Sequence, residues 1–142
     1  MKKVLLAVDG SESCNKAIRE VAELANNLEL DVTIISIVEE NVAPQIDSQK
    51  HAEREIAIQE SAEKRAESIT KSCGELFDDP ESINKIIEQG NPAKVICRVA
   101  GEGDYDLVVV ADMGKSAIKK FMLGSTTEKV VRYCSKSVLV VK

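Results

Sequence analysis

Apolar residues along this chain follow two alternating patterns: short unbroken runs, and longer stretches in which they recur every third or fourth position. Short runs rich in β-branched residues and bounded by turn formers read as strands buried on both faces. They cover residues 3–8, 32–38, 107–111 and 138–141, with a weaker alternation at 83–88. After the first run, Asp9-Gly10-Ser11 turns the chain into a helix with Ser11 or Ser13 as N-cap. Its apolar face is Cys14, Ala17, Ile18, Val21, Ala25 and Leu28. Residues 39–50 contain Pro44 and no clear period, and read as a loop. A long helix over 52–77 carries the stripe Ile58, Ala62, Ala66, Ile69, Cys73 and Leu76, and Asp78-Asp79-Pro80 stops it. Asn91 caps a third helix with Pro92 at its first position, Val95, Ile96, Val99 and Ala100 as its face, and Gly101 to Gly103 at its end. A fourth helix turns Val130, Val131 and Cys134 inward.

Five strands alternating with four helices, with no repeat and no linker, predict an α/β fold. Parallel strands need crossover helices, and right-handed crossovers cover the sheet on both faces. Such folds bind ligands at the carboxyl ends of the strands, where the strand order reverses.

The richest chemistry lies in residues 107–128. A buried strand leads into a loop with Gly114 near its start and Gly124 near its end. Ser125-Thr126-Thr127-Glu128 then reads as a capping box, Ser125 capping and Glu128 reaching back. A helix N-terminus presents free N–H groups and the positive end of the helix dipole, so this is a place for an anion, read here as nucleotide phosphates. Gly114-Lys115-Ser116 looks like the tail of a P-loop, but the glycine that motif needs five positions earlier is Val109, inside the strand.

The spacing resembles the universal stress protein family, whose nucleotide-binding members carry glycine, two residues, glycine, nine residues, glycine, then Ser or Thr. Gly114 and Gly124-Ser125 stand at the right separation, and Ala111 takes the place of the first glycine. An alanine is strained there if the position needs positive φ. The likeness runs from Asp9 to the final valine run. It implies a Rossmann-like five-stranded parallel sheet of order 3-2-1-4-5 and a site between strands one and four. It also implies that Asp9 meets the adenosine moiety, that Ala7 and Ile37 line the adenine pocket, and that residues between Ala111 and Thr127 hold the phosphates. Those are Ala111, Met113, Gly114, Lys115, Ser116, Ala117, Gly124, Ser125, Thr126 and Thr127. The implied ligand is ATP with magnesium or manganese, in a stress-response regulatory protein. Family dimers pair the last strand across a two-fold axis, which implies a homodimer through Val138, Leu139, Val140 and Val141. One branch of the family lacks the glycine pattern, so an interaction or structural protein with an empty pocket is the alternative. A further protein partner is left open.

Composition narrows the rest. At 142 residues the chain suits one domain, and 44% hydrophobic with 30% charged residues suits a soluble globular protein. A net charge of −5 argues against a nucleic-acid partner. Lys115, Lys119 and Lys120 form a local cationic group that attracts a nucleotide or simply faces solvent. The start, MKKVLLAVDG, is a strand and not a signal peptide, and no apolar stretch approaches a membrane span. Cys14, Cys73, Cys97 and Cys134 lack metal-ligand spacing and read as small buried hydrophobes in a reducing compartment, the cytoplasm. His51, the single histidine, reads as a solvated helix-end residue. Neither an HxGH pair nor a Ser-Gly-Gly loop after the first strand is present, and a receiver domain would need an Asp where Gln89-Gly90-Asn91 stands. No general base is identifiable, so the chain reads as a non-enzyme with at most slow ATP hydrolysis.

Overall fold

The computed structural model describes residues 2–39, 49–112 and 122–142. The elements run β1 (Lys2–Ala7), α1 (Glu12–Asn27), β2 (Leu30–Val38), α2 (Gln49–Gly74), β3 (Asn84–Gln89), α3 (Pro92–Glu102), β4 (Leu107–Ala111), α4 (Ser125–Tyr133) and β5 (Ser137–Val141), with a short 3-10 turn at Pro80–Ser82 before β3. All strand pairings are parallel, in the order β3-β2-β1-β4-β5. The expected α/β fold and strand order are both observed.

Alternation along the strands divides the core into two layers. Val4 and Leu6 of β1, Val8 just after it, Val32 and Ile34 of β2 and Val109 of β4 pack with α1 and the end of α2. Leu5, Ile35, Val108 and Val110 point the other way, against α3 and α4. Each fully buried Leu or Ile contributes about 1.5–3 kcal/mol of transfer free energy, and Leu5, Leu6, Ile18, Ile34, Ile35 and Ile96 are all in this state.

Local signals explain most boundaries. Ser11 caps α1, its hydroxyl oxygen accepting from the Cys14 N–H at 3.3 Å. Asn91 caps α3 in the same way through Lys94, with Pro92 in the first turn. Several positions depart from the periodic reading. Leu28 is not on the inner face of α1; it is the C-cap and 56% exposed, because the chain has already turned toward β2. The long helix begins three residues earlier than expected, and Ile58 is exposed with the whole stretch 52–58. The apolar stripe of α2 meets the core only from Ala66 onward. At its other end the helix stops at Gly74, which turns Leu76 outward and lets Phe77 fill the core instead. Val131 is likewise exposed, leaving Val130 as the buried apolar residue of α4, beside buried Thr127.

Candidate functional site

The carboxyl ends of β1 and β4 lie side by side at the point where the strand order reverses, and a crevice opens there. One helix follows from each strand: α1 after β1 and α4 after β4, on opposite faces of the sheet. Neighbouring strands therefore send their connections apart, which leaves the gap.

Asp9 leaves the end of β1. Its Oδ1 accepts the Ser11 N–H at 2.9 Å, and Gly10 between them has φ 78°, a conformation that favours glycine. This turn fixes the carboxylate at the rim, and its second oxygen has no hydrogen-bond partner among the described residues. Below it the Cys14 thiol donates to the Ala7 carbonyl at 3.7 Å. Burial pushes that thiol up to about 12, so it stays protonated and is no nucleophile at neutral pH.

Across the crevice, the chain leaves β4 at Asp112 and returns at Gly124, whose N–H donates to the Asp112 carbonyl at 2.7 Å. The loop is thereby closed at its neck. Gly124, not Ser125, is the N-cap of α4, and it provides no side-chain cap. Glu128 does not reach back either; it pairs with Arg132 at 3.1 Å, one turn further along the helix. The capping box expected from sequence is therefore absent. The consequence for the site is favourable, since the first-turn N–H groups have no partner within the helix and no capping side chain at Gly124. The hydroxyl of Ser125 is freed from the capping role. Buried Thr127 donates through Oγ1 to the Ala111 carbonyl at 2.6 Å, tying the helix start to the strand end. Thr127→Val keeps the shape and removes that donor. It should lower stability by about 1–2 kcal/mol in urea unfolding; an unchanged midpoint would show that the bond contributes nothing.

Ala111 lies in β4 and does not have positive φ. The conditional strain at this position is thus absent: an extended strand residue tolerates alanine as well as glycine.

The expected residues Ala7, Asp9, Ile37, Ala111, Gly124, Ser125, Thr126 and Thr127 all line this crevice, which encloses about 160 Å³. Met113, Gly114, Lys115, Ser116 and Ala117 lie outside the described residues. Sequence reasoning missed Val8, Glu39, Pro92, Ile96 and Val110. In the sequence Pro92 reads only as a helix-start residue and Ile96 only as core. Their four-residue spacing in the first turns of α3, the helix that leads from the carboxyl end of β3 to β4, is the available signal.

The crevice has three chemically distinct parts. Ala7, Ile37, Ile96 and Val110 belong to the apolar layer beneath α3 and α4, and form a greasy wall. Asp9 and Glu39 supply acceptors on one side. The start of α4 supplies donors and a positive dipole end on the other. Among the described residues no group of three or more His, Cys, Asp or Glu side chains could hold a metal, and no helix is long and apolar enough to cross a membrane.

The model of the universal stress protein family matches residues 1–142. The chain belongs to that family. Universal stress protein MJ0577 of Methanocaldococcus jannaschii is 28% identical, over 99% of this chain and 94% of its own length. The solved structure of MJ0577 superposes with a TM-score of 0.75, covering 99% of this chain and 95% of that one at 29% identity. Universal stress protein UspA from Lactobacillus plantarum shares the fold with a TM-score of 0.79 at 22% identity, over 99% and 97% of the two chains. So does a universal stress protein from Archaeoglobus fulgidus in complex with dAMP, with a TM-score of 0.59 at 17% identity over 100% and 98%.

Proposed function

We propose that this universal stress protein binds ATP in the crevice between β1 and β4 and acts as a nucleotide-dependent regulator of the stress response. The observation that carries this reading is the polarity of the crevice: an apolar wall, an acceptor carboxylate and an uncapped helix N-terminus succeed one another across it. A purine ring fits the wall formed by Ala7, Ile37, Ile96 and Val110. Ribose hydroxyls donate well to the free oxygen of Asp9. Phosphates are the natural ligands of N–H groups at Ser125, Thr126 and Thr127. The enclosed volume is below the roughly 300 Å³ at which a cleft surrounds a whole drug-sized ligand, so the base is enclosed and the phosphates extend outward along the start of α4. The dAMP complex of the Archaeoglobus protein bears on the choice of adenine through the common fold alone.

Magnesium or manganese would accompany the triphosphate and neutralise part of its charge; among the described residues no carboxylate cluster is grouped to cage it. Among the described residues the two carboxylates at the crevice, Asp9 and Glu39, lie with the acceptors on the side away from the start of α4, where the phosphates are placed. The protein holds the nucleotide and turns it over slowly, well below the roughly 10 s⁻¹ median of enzymes. Mass spectrometry of nucleotide released by denaturing the purified protein tests the reading directly. Adenine nucleotide should co-purify or bind in the micromolar range by calorimetry. Absence of binding at millimolar ATP would replace this reading with that of an interaction protein of the same family.

The same reading includes a homodimer through β5. That strand ends the sheet and, among the described residues, pairs with β4 alone, so its outer edge presents backbone donors and acceptors to another chain. Leu139 is 36% exposed on it, whereas Val141 is buried against α1 and the rest of that layer. Leu139 is therefore the residue to change, since a charge at Val141 would damage the fold itself. Leu139→Lys should convert dimers to monomers in sedimentation velocity. A variant that sediments as a dimer like the parent would place the contact elsewhere.

A further inference from the structure

We propose that Cys97 and Cys134 are a reversible disulfide site that ties α3 to α4 on the sheet face bearing the crevice. The sequence hides this pair, because 36 residues and a complete strand separate its members. In the fold α3 packs against α4, and both cysteines lie against the same apolar cluster. Both are free and half-buried, not sealed in the core as their apolar helix positions suggest. The two helices that carry them pack directly on one another, and the Cys134 sulfur is near enough to act on the Cys97 thiol. Cys14 and Cys73, by contrast, are buried in the opposite layer, beyond the reach of a soluble oxidant.

The chemistry needs an oxidant, and a hydroperoxide supplies it. One sulfur attacks a peroxide oxygen and becomes a sulfenic acid, releasing water. The second thiol displaces the sulfenic oxygen as another water and forms the S–S bond. Two thiols and one peroxide give one disulfide and two waters; each sulfur loses one electron and each peroxide oxygen gains one. Burial, and then the neighbouring Cys134 sulfur, push the Cys97 thiol up to about 11. Reaction is therefore slow, and the site responds to sustained oxidation more than to a brief pulse. Position gives the bond its meaning. Cys97 follows Ile96, which lines the crevice, and Cys134 ends the helix whose first turn lines it. A bond between them would hold α3 and α4 at a fixed separation.

The test uses the full chain treated with millimolar hydrogen peroxide, then mapped by mass spectrometry without reduction. The expected product is a peptide pair linked through Cys97 and Cys134, reversed by dithiothreitol. Thermal unfolding of the oxidised protein should rise by about ten degrees, because the cross-link closes a loop in the unfolded chain. Cys97→Ser and Cys134→Ser should each fold normally by circular dichroism and lose both the link and the rise. The proposal is overturned if peroxide yields only sulfinic acids, links between chains or links to Cys14 or Cys73. A 97–134 link that leaves the unfolding temperature unchanged or lowers it overturns the clamp as well.

Discussion

Gly124→Val should reduce ATP affinity by about a hundredfold, ~2.7 kcal/mol, while adenosine loses less than about threefold. The residue stands at the mouth of α4, where phosphates would have to approach the backbone closely, and a branched side chain fills that approach. Its φ of −57° and ψ of 151° are open to any residue, valine included. The N–H that closes the loop on Asp112 is also retained by valine. The variant should accordingly fold with an unchanged unfolding midpoint, so that lost affinity reports on the ligand and not on the scaffold. Calorimetry with ATP and with adenosine makes the distinction. Equal losses for the two ligands would move the phosphates away from α4, and no loss at all would remove them from this crevice.

Asp9→Ala should act at the opposite end. ATP and adenosine are expected to weaken together by at least about tenfold, since the carboxylate would serve the ribose common to both. The same carboxylate accepts the Ser11 N–H, so the alanine variant should also lose about 1 kcal/mol of stability. Asp9→Asn separates the two roles. Its side-chain oxygen can still accept from Ser11, but an amide replaces the second acceptor. The asparagine variant should keep its stability and show the affinity loss. If it instead binds ATP normally while the alanine variant does not, Asp9 merely shapes the turn.

The fold was legible because its strands are short, apolar and regularly interrupted, and because a parallel sheet leaves few alternatives for crossover helices. The caps of α1 and α3 were legible for a local reason: Ser11 and Asn91 act on N–H groups three residues away. At α4 the same logic misled. Ser125 and Glu128 have the spacing of a capping box, yet the carbonyl of Asp112 takes the Gly124 N–H and draws the chain into the helix one residue earlier. That contact joins positions in different elements, which periodicity does not register. Ile58 and Leu76 failed for a related reason. The stripe on α2 predicts which side faces the sheet, but it carries no information on how far the sheet extends. At the site, Asp9 and Gly124 stood out through turn and loop chemistry. Pro92 and Ile96 did not, because a cap proline and a core isoleucine look alike whether or not a crevice opens beside them. Cys97 and Cys134 were readable only as separate apolar positions; their proximity is a product of helix packing.

The hydrogen bond from the Gly124 N–H to the Asp112 carbonyl fixes how far apart the two ends of the intervening segment stand. Both anchors belong to the framework: Asp112 follows β4 and Gly124 caps α4. The spacing of those two ends is therefore inherited from the sheet and the helix, and a substitution that moves α4 against β4 reaches the crevice through this neck.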